Sequence, residues 1–333
     1  MKNKKSVRDR VERSERKKCI CVTHNHSLFS TFSSNFTMFE DPEFECCDEN
    51  LPPLLRNEGV IWLRPHEIAV YPQFLSSSHP KREEVIQRFS GGFFLAPVIS
   101  LTKDLELSLK VVKNQPIDRG YFEFTFFTED DTIVVIKIDD RLPTKNGELI
   151  FSQAPADTFW CPLLEKAFAK FRGGYQHLSI GNLDDSLRML TGKEVDLFET
   201  EHYTPNQIHS MIKKYFNSTR ILCCKTKHSN GNNGEHGRSL AISDAIHGNN
   251  GLLISLSDPK IPFDSDMSIE EFKDVIDVVF FLTPDEEEKE EEEMRKEKNV
   301  PLFRRIDLFG RDVYTSSLVS NHSSQNNNPC ALM

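Results

Sequence analysis

Between residues 121 and 171 the chain changes its apolar period, and that change limits the folds open to it more than any other feature. YFEFTFFTEDDTIVVIKIDDRLPT (121–144) reads as a hairpin: an alternating aromatic strand, the turn TEDDT, a β-branched strand and a proline-closed loop. FWCPLLEKAFAKF (159–171) then puts Trp160, Leu163, Leu164, Ala167, Phe168 and Phe171 on one helical face, and GGYQ ends the helix. DDSLRMLTG and TPNQIHSMIKKYFN predict two further helices, the second capped by Thr204. Beyond Thr219, the runs RILCCKT, RSLAISDAI and GLLISLSDP are short and β-type, separated by turns such as NGNNG and HGNNG. A helix-rich first half followed by a strand-rich second half predicts an α+β fold with two lobes rather than alternating βαβ units.

A chain of 333 residues with 38% hydrophobic content can bury one sizeable core or a core split between two lobes. Ordered sequence is expected to begin near FTMFEDPEF (36–44), where a polar head gives way to aromatic spacing. In VIWLRPHEIAVYPQF (60–74) the Arg64-Pro65 step and Pro72 break any long helix, which favours short extended and turn segments. The expected organisation is a basic, disordered head (1–35), a first lobe (36–195), a second lobe (196–284) and an acidic linker with a flexible tail (285–333).

Charge is unevenly spread over the net −10: residues 1–18 hold nine Lys/Arg against three Asp/Glu, and DEEEKEEEE (285–293) is a block of opposite sign. Both read as solvated segments. A basic head can meet an anionic membrane surface or nucleic acid, but its composition reads first as a solubilising tail, and no nucleic-acid partner is expected. The sequence contains no apolar run of bilayer length and no apolar stretch behind the basic N-terminus that a secretory signal needs, so a cytoplasmic location is expected. The eight cysteines include the adjacent pairs Cys46/Cys47 and Cys223/Cys224, which suits reduced thiols rather than a disulfide framework. The glycosylation patterns at Asn35, Asn217 and Asn321 carry no weight without export.

Three further motifs have limited reach. CICVTHNH (19–26) offers two thiols and two imidazoles, but at a spacing too compact for easy tetrahedral closure around zinc. DSDMSIEEFKDVI resembles the opening of a calcium loop at Asp264, yet its sixth position is Ile269 and its twelfth Val275, where glycine and glutamate are required. Cys330-Ala331-Leu332-Met333 fits a prenylation box presented on a polar tail, which makes Cys330 a lipidation candidate; one lipid gives only reversible membrane contact, with the basic head as a second signal.

QRFSGGFFLAPVISLT (87–102) builds an approach to a helix N-terminus, where backbone N–H groups and the dipole suit a nucleophile or an anion. Gly91 and Gly92 occupy it, and neither carries a side chain. Together with FEDPEF, IWLRPHEI, IDDRLPT with GELIFSQ, FWCPLLEKAFAKFRGGY, LTGKEV, MSIEEF and LTPD, this stretch resembles the protease core of the calpains, papain-like cytosolic cysteine peptidases that respond to calcium. The runs follow family order over roughly residues 36 to 285. The resemblance implies a papain-like two-lobed core with a helix-rich first lobe and a shortened, β-rich second lobe.

The same resemblance implies that the catalytic positions are substituted. In calpains the opening stretch contains Gly-Asp-Cys-Trp and a helix ending in Ser-Leu-Thr; counting back from Ser100-Leu101-Thr102 puts the cysteine on Gly92 and its aspartate on Gly91. One residue is missing after Gln87, so the match can also shift to Phe93; neither is a thiol. The family histidine falls on Arg238 in GRSLAISDA. The asparagine falls on Asp258 in SDPK, with Lys260 at the following tryptophan. Gln87 matches the glutamine that donates to the oxyanion. Acyl transfer needs a thiolate, a base with a pKa near the working pH and a group that orients the base. Glycine supplies none of these, and a guanidinium has no acceptor lone pair. Pro97 is expected to kink the following helix and reshape the pocket floor.

Calcium dependence is expected to be lost. The family's first-lobe site uses a glutamate where GGYQ supplies Gln176, a neutral oxygen, and most of the second-lobe acidic stretch after Asp258 is deleted. The chain also has no room for the C2-like and EF-hand domains that often follow in calpains, and no cofactor is expected. Arg238 and Asp258 are predicted to form a direct ion pair. The leading reading is a non-catalytic calpain-like pseudoprotease that acts by protein binding, with calpain substrates or active relatives as partners. Family membership alone would assign a calcium-dependent cysteine endopeptidase. A third reading is a decaying copy whose second lobe is only partly stable.

Overall fold

The computed structural model describes residues 38–89, 91–227, 237–248 and 251–284, together with the backbone of residues 304–306 and 312–314. The basic head, the CICVTHNH motif, the acidic block and Cys330 lie outside the described residues. Contacts divide the chain into two compact units, Met1–Thr283 and Pro284–Met333.

The first unit opens with strand β1 (Ile61–Leu63) and the one-turn helix α1 (Pro65–Ile68). Pro65 stands at the first helical position, where its missing N–H costs nothing, and Glu67 accepts from the Arg64 N–H at 2.8 Å. Helix α2 (Gly92–Leu101) is apolar all round and buried, and it runs unbroken through Pro97. Proline cannot donate to the Phe93 carbonyl, so one bond is missing from a helix that packing on every side holds in place. Asp104 caps α3 (Leu105–Val111) by accepting from Leu107 N–H at 2.8 Å.

Strands β2 (Tyr121–Phe127) and β3 (Ile133–Asp139) form the expected hairpin, pairing Tyr121 with Asp139 through Phe127 with Ile133. Phe122, Phe124 and Phe126 point inward: Phe122 stacks on Phe74, Phe124 meets the same ring at a tilt, and Phe126 packs at a tilt against Phe168. Strands β4 (Leu142–Lys145) and β5 (Glu148–Leu149) join β1 in a three-stranded sheet of order β1-β4-β5. Asn146 and Gly147, both at positive φ, make its tight turn. Helix α4 (Trp160–Arg172) ends at Gly173 in the left-handed region, and α5 (Leu183–Thr191) ends likewise at Gly192.

The motifs of this part converge on one buried network. Asp139 accepts from Asp41 N–H at 2.9 Å, from Lys166 Nζ at 2.5 Å and from Arg141 Nη2 at 2.7 Å. Asp140 pairs with Arg64. Lys166 and Asp139 are fully buried, so each charge depends on the other. Burial opposes the Asp139 charge, but the Lys166 ammonium and the Arg141 bond outweigh it and hold the carboxyl well below its usual range.

Strand β6 (Val195–Glu199) leads into α6 (Pro205–Ser218), which Thr204 caps by accepting from Gln207 N–H at 3.4 Å. Then follow β7 (Leu222–Thr226), β8 (Ser239–Gly248), β9 (Gly251–Ser257), β10 (Asp264–Ser268), α7 (Ile269–Val275) and β11 (Ile276–Leu282). The six strands form an antiparallel sheet of order β10-β9-β8-β7-β11-β6. The run that resembled a calcium loop is thus an edge strand and a helix capped by Ser268.

Alternation assigns the two faces of this sheet to different cores. Cys223, Ala241, Phe280 and Leu282 join the core of the first part of the chain. Leu222, Cys224, Leu240, Ile242, Val279 and Phe281 pack with Ile208 and Ile212 of α6 and with Phe272 of α7. Helix α2 lies against β7 and β8 on the first face. There Ser100 Oγ donates to the Leu222 carbonyl at 3.1 Å and accepts from Leu222 N–H at 2.9 Å, in full burial. In the second unit, the described residues form a short antiparallel pair, β12 (Arg304–Ile306) and β13 (Asp312–Tyr314). Among the described residues no helix is long and apolar enough to cross a membrane.

Candidate functional site

The start of α2 is built by two glycines with different tasks. Gly91 precedes the helix at φ 106° and ψ 15°, a conformation that side chains with a Cβ rarely adopt, and its carbonyl accepts from Phe94 and Leu95 N–H at 2.9 and 2.8 Å. A Cβ at Gly91 would lie 3.3 Å from Glu165 Oε1 and 3.9 Å from the Leu178 carbonyl. Gly92 has an ordinary backbone, and a Cβ there would lie 3.3 Å from Gln87 Oε1. Phe93 is a core ring, 6.4 Å from Phe168 and against Gly181. Of the two alternatives for the nucleophile position, Gly92 is therefore the one whose side-chain direction meets Gln87.

Gln87 belongs to a strip that joins the two parts of the chain. Its N–H donates to the Pro259 carbonyl at 2.7 Å, and its side-chain Nε2 to the Phe89 carbonyl at 3.4 Å. Asp258, one residue before Pro259, forms an ion pair with Arg238 at the start of β8. The Asp258 side chain is 11% exposed and that of Arg238 57%, so the carboxylate sits inside and the guanidinium covers it. Asp258 Oδ1 also accepts from Lys260 N–H at 2.9 Å, while Arg238 N–H donates to Thr226 Oγ1 at 2.8 Å and its carbonyl accepts from Thr226 N–H at 2.9 Å. The predicted Arg238–Asp258 pair is present.

Arg82 closes the strip. Its Nη2 donates to the carbonyls of Asp258 at 3.2 Å and Ile261 at 2.7 Å, and its Nε to Asp264 Oδ1 at 2.9 Å. The structure thus brings Gln87, Gly92, Arg238 and Asp258 into one contiguous set. Gln176 stands elsewhere, in the turn Tyr175–Ser179: its Nε2 donates to the Gly173 carbonyl at 3.2 Å, and its amide folds over Gly174.

Glu165 is a member that the sequence reading missed. It is fully buried in α4, where Oε2 accepts from Ser152 N–H at 2.8 Å and Ser152 Oγ at 2.6 Å, while Oε1, the oxygen facing Gly91, has no partner. Burial raises its pKa to about 7 against the lowering effect of the Ser152 bonds. The signal in the sequence is a glutamate within an apolar helical stretch, CPLLEKAF.

Five free thiols lie among the described residues: Cys161, Cys223 and Cys224 are buried, and Cys46 and Cys47 are half-buried. Burial pushes the Cys161, Cys223 and Cys224 thiols well up, and that of Cys47 up to about 11. Cys161 shares Ser152 and Glu165 with this site, but the carboxylate there adds to the burial in disfavouring a thiolate. The strip offers an amide, a guanidinium, a carboxylate and backbone groups, and beside it Glu165, facing Gly91, is the carboxyl that burial raises to about 7.

Residues 39–253 match the family described as "Calpain family cysteine protease". Among curated proteins, mouse calpain-8 is 33% identical over 205 residues, covering 58% of this chain and 29% of the relative. The human calpain-2 catalytic subunit is 34% identical over 200 residues, covering 56% and 28%. Calpain-B of Drosophila melanogaster is 32% identical over 203 residues, covering 59% and 22%. The chain spans less than a third of the length of these relatives.

Proposed function

The chain belongs to the calpain family of cysteine proteases, and on that premise we propose that it is a non-catalytic member, a pseudoprotease that keeps the protease scaffold and acts by binding other proteins. The observation that carries this reading is Gly92: the residue whose side chain would face Gln87 across 3.3 Å has none. Without a sulfur there, no acyl-enzyme forms and no oxyanion develops for Gln87 to stabilise. Arg238, at the matching histidine position, carries a guanidinium with no acceptor lone pair and is committed to Asp258, so it cannot take the base's role toward a nucleophile.

Losing one member of such a unit removes most of its rate, and here three positions differ. What remains is a strip of hydrogen-bond donors and acceptors, which suits an extended polypeptide held without cleavage. Substrates of active calpains, or those enzymes themselves, are the partners this implies. Calcium is not required in this account, because Gln176 offers a neutral oxygen and Arg82 already ties the Asp258–Asp264 segment in place through three bonds.

The test is turnover of an unfolded protein substrate by the full chain, from chelated to millimolar calcium, beside an active calpain. The proposal expects no cleavage at any calcium level, with substrate binding that competes with the active enzyme. Calcium-dependent cleavage by this chain would instead establish the endopeptidase reading that family membership alone assigns.

A further inference from the structure

Away from this strip, two imidazoles meet where α6 lies on the sheet. His209 of α6 is 3% exposed, and its Nε2 is buried with no hydrogen-bond partner. His247, the next residue on β8, is exposed and packs edge-on against His209 with ring centroids 5.1 Å apart.

A buried ring nitrogen without a partner is costly, and such groups are rare in folded proteins. The arrangement has a use, however. A buried imidazole nitrogen that no protein group occupies is a position at which a metal ion can bind. His247 supplies a second imidazole from a different element, with access from solvent.

The geometry points to a two-imidazole site, His209 and His247, for a borderline-soft divalent cation of the Zn²⁺, Ni²⁺ or Cu²⁺ class, with water completing the shell. An imidazole pair without carboxylates disfavours Ca²⁺ and Mg²⁺, which require oxygen ligands. An ion held this way would staple α6 to β8 at the end of the β8–β9 hairpin and stabilise the sheet through binding to the folded state alone.

The test titrates Ni²⁺ into the metal-stripped full chain by calorimetry. The chain has eleven histidines and eight cysteines, so the comparison is between variants. His247→Ala, at an exposed position, is expected to melt like the parent without metal but to lose one equivalent of Ni²⁺, or at least tenfold in affinity; His209→Gln is expected to do the same. Should His209→Gln fail to fold, the His209 ring resonances of the parent must shift on Zn²⁺ addition and those of His247→Ala must not. Equal stoichiometry and affinity in the parent and His247→Ala, or no binding by the parent, overturns the site.

Discussion

Arg238 covers the inward-facing carboxylate of Asp258 and pairs with it, next to the Pro259 carbonyl that accepts from Gln87 N–H. The pair is asymmetric, since Asp258 is the buried partner. Arg238→Ala is expected to lower stability by about 1 kcal/mol, because it strands a desolvated carboxylate. Urea unfolding of the two single alanine variants and the double variant checks it: a coupling of about 0.5–1 kcal/mol that weakens with salt supports the pair, and strict additivity argues against it.

The adjacent glycines predict opposite tolerances. Gly91→Ala forces a Cβ into a positive-φ backbone and is expected to cost about 1–2 kcal/mol. Gly92→Ala meets only the end of the Gln87 side chain and is expected to be neutral or slightly stabilising, by up to roughly 0.5–1 kcal/mol from helix propensity. Gly92→Cys should therefore fold, yet remain unable to cleave peptides while Arg238 stands in place of a base. Thermal melts and a peptidase assay of the three variants check this.

Glu165 sets a pH dependence. Its carboxyl is raised by burial from 4.5 to about 7 in the folded protein, so the folded state holds a proton that the unfolded chain releases above its ordinary value. The resulting stabilisation is fully present below about pH 4.5 and is lost as pH rises through about 7. Glu165→Gln removes that loss while keeping an acceptor for Ser152. Its stability relative to the parent is expected to rise between pH 5 and 8, by a few kcal/mol in unfolding free energy. A constant difference across that range would contradict the assignment.

Ser100 fastens α2 to β7 through both groups of Leu222. Ser100→Ala leaves a buried N–H and a buried carbonyl without their partner and is expected to cost about 1–3 kcal/mol. Hydrogen exchange should locate the loss at Leu222 and its strand neighbours. Unchanged protection there would mean that the bond is dispensable.

Much of this architecture is legible in the residues. The alternation of Phe122, Phe124 and Phe126, the helical face of α4, the Thr204 cap and the three β runs that became β7, β8 and β9 follow from local periodicity and turn residues, and the structure agrees. The Arg238–Asp258 pair follows from the two opposite charges that replace neutral partners. Helix α3 was missed because it spans only two turns, although Asp104 marks its start. The sharing of the six-stranded sheet between two cores was not legible either, since short apolar runs such as RILCCKT do not reveal what lies on each face. Glu165 escaped for a related reason: its proximity to Gly91 is a tertiary fact that no local spacing encodes.

The central claim of the proposal is that no sulfur among the described residues is poised to attack a peptide carbonyl. Its most direct test is reaction of the folded protein with an electrophilic cysteine-protease probe, with and without calcium, followed by intact mass and site mapping. The account predicts no fast, calcium-dependent, single-site labelling, with only slow alkylation at the rate of the unfolded chain. Rapid stoichiometric modification of one cysteine, accompanied by loss of a measurable peptidase activity, would contradict it.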